Sequence, residues 1–398
     1  MPSVERDNAM AQRKLSESTG GSGGPDSGTP VSPFPGSQRY TPIGVLKEGN
    51  YGKIELIVDK RSGVRYALKQ IKKDNIKFKD FHREIVLSCE LSVHAAVVAT
   101  LPDTFESTDA YMMLQEYAPY GDLLEAIPPQ RGLDEIRVKS CLAQVAAALS
   151  FLHSKRLVHG DVKPENVLLF DKDLTVAKLS DFSRTRRRGS LVRKNARSIP
   201  YSPPEVSQAL ENESFALEPS QDSWHFGVML FCVLTGMFPW EIADSTRSSC
   251  FEEFTRWQKR KVTVAPPAWR NFTPKLLKLC RKLLEPKAER RGSVSQIHKY
   301  IGDSWLKQPT SSSPPSRAGT GAAAAKRSPL GQNITSNAKE DGEGNGSNDS
   351  NNNKTCMDEL RDKLEAHGVV TRTNKDLRRQ RTADWVRETC VNPLVDPP

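Results

Sequence analysis

His159-Gly160-Asp161-Val162-Lys163-Pro164-Glu165-Asn166-Val167-Leu168-Leu169, followed after one short apolar stretch by Asp181-Phe182-Ser183, is the part of the chain whose reading decides the fold. An acid at 161, a lysine at 163, an asparagine at 166 and a second acid at 181 are the groups that phosphoryl transfer to a hydroxyl needs. In that chemistry one carboxylate accepts the hydroxyl proton and the lysine neutralises the moving phosphate. The asparagine and the second carboxylate hold magnesium. Asp161 and Lys163 are therefore candidate catalytic residues, and Asn166 and Asp181 candidate metal ligands. Taken singly, each is an ordinary loop residue; their shared order and spacing carry the assignment.

The stretch resembles the catalytic and magnesium loops of eukaryotic protein kinases, and the resemblance extends to the parts that accompany them. Leu46-Lys47-Glu48-Gly49-Asn50-Tyr51-Gly52-Lys53-Ile54 looks like the glycine-rich phosphate loop. Gly49 and Gly52, with Asn50 and Tyr51 between them, let the backbone bend closely over phosphate oxygens, while Leu46 and Ile54 cap the purine. This loop lies between two apolar runs with a turn at Asp59-Lys60-Arg61-Ser62-Gly63, which reads as strand, loop, strand. In Val64-Arg65-Tyr66-Ala67-Leu68-Lys69-Gln70-Ile71 a period of two puts Ala67, Lys69 and Ile71 on one face. The resemblance places Ala67 and Lys69 at the nucleotide, with Lys69 reaching its phosphates. That lysine needs an anion to orient it, and Phe81-His82-Arg83-Glu84-Ile85 opens a helical segment where kinases place one. Glu84 is the choice and Glu90 the fallback, since one sequence does not fix the helix register.

Met113-Leu114-Gln115-Glu116-Tyr117-Ala118-Pro119-Tyr120-Gly121-Asp122-Leu123 resembles the hinge between two lobes. Backbone groups of Glu116 and Ala118 would bind adenine, Gln115 would be the gatekeeper, and Asp122 would meet the ribose. Arg197-Ser198-Ile199-Pro200-Tyr201-Ser202-Pro203-Pro204-Glu205 looks like the end of the activation loop, with Glu205 paired to Arg291. Asp222-Ser223-Trp224-His225-Phe226-Gly227 resembles the start of the central helix, whose aspartate ties down the catalytic loop. Trp224 to Leu234 is nearly all apolar, so this helix is expected to be buried on every side.

The implied fold is α+β: a two-lobed protein kinase fold with a small, mainly antiparallel β N-lobe carrying helix C, a larger helical C-lobe and disordered tails. The implied activity uses ATP and Mg2+ to phosphorylate serine or threonine of protein substrates, because Lys163 two residues after Asp161 is the serine/threonine signature. The run from Lys163 to Asp171 and the Ser198-Ile199-Pro200-Tyr201 segment look most like the SH3-domain-binding kinase family. Four positions depart from the usual pattern: Lys47 for the first loop glycine, Gly160 for the arginine before the catalytic acid, Ser183 for the magnesium-loop glycine, and Pro203 for alanine. None removes a group that touches magnesium, phosphate or nucleophile, yet together they keep a second reading open, a pseudokinase scaffold without significant transfer. Asp122 and Glu165 line the expected peptide groove and favour basic residues before the acceptor. Cys232 stands where strongly basophilic kinases carry glutamate, so only a modest preference is expected.

Composition sets the rest of the chain around this domain, expected over residues 39–306. Among 398 residues, 27 prolines, 25 glycines and 37% hydrophobic content indicate a globular middle with disordered ends. Residues 1–38 form a Ser/Gly/Pro-rich tail in which Pro30-Val31-Ser32-Pro33 is a weak match to an SH3 ligand. Residues 307–356 read as a low-complexity linker, and residues 357–398 as a charged tail with possible short helices around Leu360, Leu364 and Trp385. No signal peptide or membrane span is recognised, and the seven scattered cysteines form no Cys-x-x-Cys pair; a cytoplasmic location is expected. Much of the formal net charge of +10 comes from Arg184, Arg186, Arg187, Arg188, Arg193, Lys194 and Arg197 in the activation segment. These fit a solvated loop or phosphate-linked regulation at Arg187-Arg188-Gly189-Ser190-Leu191. Nucleic acid is not expected, because no aromatic interleaving or nucleic-acid motif accompanies them.

Overall fold

The computed structural model describes residues 36–193, 200–210 and 213–308. Pro30-Val31-Ser32-Pro33, Ser198 and the segment with Leu360, Leu364 and Trp385 lie outside the described residues.

Tyr40–Gly49 (β1), Gly52–Asp59 (β2) and Arg65–Lys72 (β3) are joined as the alternation predicts. Their connection is fixed by a buried acid: Asp59 Oδ1 accepts from the backbone N–H of Arg61 at 2.9 Å, and its Oδ2 takes Arg39 Nε at 2.8 Å. The helix Phe78–Leu91 (α1) follows, then Thr100–Glu106 (β4) and Ala110–Glu116 (β5). The five-stranded sheet has the order β1-β2-β3-β5-β4 and is antiparallel throughout. Period-two alternation splits its side chains. Tyr40, Ile57, Leu68, Ala110, Met112 and Leu114 pack on one face, while Ile71 and Met113 on the other meet Phe81 of α1. The Phe81 ring stacks on Tyr111 with centroids 4.9 Å apart, holding α1 against the sheet.

The second lobe begins with Leu123–Ala126 (α2), whose N-cap is Asp122, and Glu135–Ser154 (α3), capped by Asp134 through Ile136 N at 2.9 Å. Short strands then alternate with loops: Leu157–Val158 (β6), Val167–Leu169 (β7), Ala177–Leu179 (β8), Arg186–Arg187 (β9) and Leu191–Arg193 (β10). Pro204–Ser207 (α4), Ser214–Ala216 (β11), Pro219–Thr235 (α5), Ser249–Gln258 (α6) and Pro274–Leu283 (α7) complete it. As its composition predicts, α5 is buried all round from Trp224 to Leu234. Around it Trp224, Trp240, Phe251, Phe254 and Trp269 form a continuous aromatic cluster. The architecture is the two-lobed α+β arrangement expected, with β5 running into the linker between the lobes. Among the described residues no helix is long and apolar enough to cross a membrane.

Candidate active site

The roof of the cleft is the β1–β2–β3 face that carries Lys69. Gly49 pairs with Gly52 at the hairpin end, and Asn50 and Tyr51 form its tip. A Cβ at Gly52 would collide with the Gln70 carbonyl oxygen, so only glycine lets β3 approach there. Ile54 pairs with Lys69 on β3, and Ala67 lies between Leu56 and Gln115 on the neighbouring strands. Leu46 packs against Leu56 beside Tyr117.

Lys69 Nζ lies 2.6 Å from Glu84 Oε1 and 3.2 Å from Asp181 Oδ1. The helix register thus selects Glu84 over Glu90. Burial pushes the Lys69 ammonium toward losing its proton, but the Asp181 and Glu84 carboxylates outweigh it and raise its pKa well above the usual lysine value.

The floor is the loop from His159 to Asn166. Lys163 Nζ sits 2.8 Å from Asp161 Oδ2, and Asn166 Nδ2 donates to the Asp161 carbonyl at 2.7 Å. Burial pushes the Asp161 carboxyl up, but Lys163 counters through charge and hydrogen bond and holds it below the usual carboxylate range. The loop hangs on Asp222, which accepts from the N–H of His159 at 2.8 Å and of Gly160 at 2.9 Å, and contacts His153 Nε2 at 2.8 Å. Burial works against that carboxylate, yet His153 and these donors keep its pKa low. Asp181 adopts left-handed backbone, φ 65°, and opens the single 3-10 turn Phe182–Arg184. Phe182 is fully buried against His159, at 5.5 Å between ring centroids. Ser183 therefore occupies ordinary helical backbone, and the strain falls on Asp181.

At the linker, Gln115 Nε2 donates to Thr100 Oγ1 at 3.1 Å, which accounts for a polar side chain at that position. The Glu116 N–H bonds to the Ala99 carbonyl at 2.9 Å, and the Ala118 carbonyl accepts from the Gly121 N–H at 3.4 Å. Asp122 caps α2 through Glu125 N at 3.2 Å and faces Lys47 across the cleft mouth, Oδ2 to Nζ 3.7 Å. Glu205 and Arg291 pair through both guanidinium nitrogens at 2.8 and 2.9 Å, as the sequence suggested.

Two contributors escaped the sequence reading. Lys178 binds both oxygens of Glu116, at 2.8 and 2.7 Å, and so fastens the linker to β8. Nothing in the local pattern marks Lys178, because its partner is distant in the chain. Lys47, read only as a departure from glycine, turns into the cleft; its signal lies in strand register.

The comparisons with known proteins accord with this geometry. The protein kinase domain family matches residues 40–301. Serine/threonine-protein kinase SBK1 of Danio rerio is 46% identical over 275 residues, 69% of this chain and 71% of that protein. SBK1 of Mus musculus is 43% identical over 265 residues, 67% of this chain and 63% of that protein. Serine/threonine-protein kinase meng-po of Drosophila melanogaster is 36% identical over 283 residues, 71% of this chain and 61% of that protein.

Proposed function

The chain belongs to the protein kinase family, in its SH3-domain-binding serine/threonine branch, and from that premise we propose that its cleft transfers the γ-phosphate of ATP to serine or threonine hydroxyls of proteins. The observation that carries this reading is the linked set of charges from Glu84 through Lys69 to Asp181, facing the set Asn166, Asp161 and Lys163.

Asn166 and Asp181 suit magnesium. The amide nitrogen of Asn166 is committed to Asp161, which turns its oxygen elsewhere, and Asp181 keeps a partly exposed carboxylate; both are hard oxygen donors. Bound there with ATP, magnesium neutralises charge on the phosphate oxygens. Glu84 holds the Lys69 ammonium toward the α and β phosphates, while backbone from Gly49 through Asn50 and Tyr51 to Gly52 covers them. Leu46, Ile54 and Ala67 enclose the adenine, the Glu116 carbonyl and Ala118 N–H orient it, and Asp122 meets the ribose. Asp161, kept ionised by Lys163, accepts the proton of the acceptor hydroxyl, and Lys163 steadies the γ-phosphate. Positioning and electrostatics then supply most of the rate.

The same reading extends to substrate and setting. Glu165 and Asp122 are close enough to repel each other electrostatically, and this shared negative charge at the expected peptide groove favours a basic side chain before the acceptor. Cys232 is fully buried in the core, so this preference rests on fewer acids than in strongly basophilic kinases. A cytoplasmic location rests on the sequence alone. Contact with an SH3 domain through Pro30-Val31-Ser32-Pro33 rests on the sequence and family alone.

Purified protein with Mg-ATP and serine/threonine peptides tests the activity. Asp161→Asn or Lys69→Met should lower transfer at least about a hundredfold. Equal inertness of wild type and Asp161→Asn, with no thermal stabilisation of either by ATP, would establish the scaffold reading instead.

A further inference from the structure

Two lysines, not one, point from the cleft roof toward carboxylates of the opposite lobe. In the three-strand register Ile54 of β2 is flanked by Lys69 on β3 and by Lys47 on β1. Directly paired cross-strand residues share a sheet face, so Lys47 lies on the same face as Lys69. A β-bulge makes this so. Val45 pairs with Glu55 and Lys47 with Ile54, which leaves Leu46 as the extra residue of β1. Without the bulge Leu46 would oppose Ile54, and Lys47 would share the outer face with Lys53 and Glu55.

The lysines reach matching partners: Lys69 Nζ is 3.2 Å from Asp181 Oδ1, and Lys47 Nζ is 3.7 Å from Asp122 Oδ2. Both ammonium groups are mostly sheltered, with side chains 18% and 22% exposed, so neither charge is fully screened by water. Asp122 also receives Glu125 N–H at the cap of α2, so its carboxylate stays in place when the ammonium moves. Lys47 stands on a long flexible stem, at a contact longer than a good hydrogen bond.

We propose that Lys47 is a second nucleotide-directed cation: Asp122 holds it at the cleft mouth, and it turns to the phosphates when the nucleotide enters. The proposal rests on the nucleotide reading of the cleft and adds to it a positioning residue where a glycine is usual. It makes affinity depend on the phosphates more than Lys69 alone would.

Calorimetric titration of the full chain with ADP and with adenosine, both with magnesium, tests this without relying on turnover. Lys47→Met should weaken ADP about tenfold, while adenosine affinity stays within about twofold and Lys47→Arg restores most of the loss. The salt dependence of ADP binding should also become shallower in Lys47→Met. An equal loss for adenosine would make Lys47 a part of the roof's shape and overturn the inference. ADP affinity that is unchanged or improved in Lys47→Met would overturn it too, leaving the Asp122 pair as a bond between lobes. Wild type that binds neither compound would remove the nucleotide reading and the inference with it.

Discussion

Glu165 is half-buried, with one oxygen sealed from solvent that no donor meets, and burial pushes its carboxyl above the ordinary glutamate range. A raised folded value means that its contribution to stability is present at pH below the unfolded carboxyl pKa and lost as pH rises through the folded one. Glu165→Gln should therefore raise the melting temperature at pH 7, and the gain should shrink toward about pH 4, where the native carboxyl is protonated. The same variant should lower kcat/KM for peptides with arginine before the acceptor more than for neutral ones. Equal losses on both would remove the recognition role while leaving the stability argument intact. Ser183 gives a second prediction. Its backbone is unstrained in this state, but glycine eases a flip of the magnesium loop by about 1 kcal/mol through access to positive φ. Ser183→Gly should strengthen inhibitors that need the flipped loop, measurable as a lower Kd. That Lys69 would come together with Asp181, and Asp161 with Lys163 and Asn166, was legible because the phosphate chemistry the motif implies dictates both residue type and spacing. Lys47 was not, because its direction depends on a bulge one residue wide.

At the scale of elements, the segment from Arg184 to Arg193 is where regulation is expected. Gly160 takes φ +75°, and a Cβ there would meet the Arg184 carbonyl oxygen at 3.3 Å; with no side chain, position 160 itself offers no cation to this segment. The segment supplies its own: Arg184, Arg186 and Arg193 line a cavity of about 340 Å³ beside Gly160. Ser190 lies in the turn between β9 and β10, its N–H bonded to the Arg187 carbonyl at 3.1 Å and its carbonyl to Leu217 N–H at 2.9 Å. Arg188 is held by Glu218 at 2.7 Å on the exposed side. Backbone bonds already order the turn, so phosphate at Ser190 should modulate activity instead of switching it on. Ser190→Ala should keep most basal turnover, and phosphatase-treated protein should still work; activity that returns only with phosphate at Ser190 would refute this. Long elements such as β3 and α5 were readable from periodicity. The two-residue strands β6 and β9, which pair with each other, were not, since no period fits so short a run. The choice between Glu84 and Glu90 needed the packing of Phe81 on the sheet to set the turn of α1.

Across the whole molecule the two lobes are built with unequal cores. The sheet lobe divides its buried apolar residues into small groups, Tyr40 with Ile57, Leu68, Ala110, Met112 and Leu114, then Leu56, then Ile71 with Phe81 and Met113. The helical lobe gathers its apolar residues into one continuous cluster around α5. Burial of apolar area sets the scale of cohesion, so the sheet lobe opens at lower free energy than the helical one. Lys69–Asp181 and Lys47–Asp122 cross the cleft, but part-sheltered pairs such as these must offset the cost of desolvating their charges and add little net cohesion by themselves. A nucleotide that engages both lobes stabilises the closed form by mass action and should transfer the cohesion of the helical lobe to the sheet. Hydrogen exchange checks this directly. In free protein the amides of β1 and β2 should exchange well before those of α5, and a saturating ATP analogue with magnesium should slow the first group while leaving α5 near its global limit. Uniform protection of both lobes in the free protein would mean that the cleft ion pairs and the linker bond Lys178–Glu116 already join them into one cooperative unit.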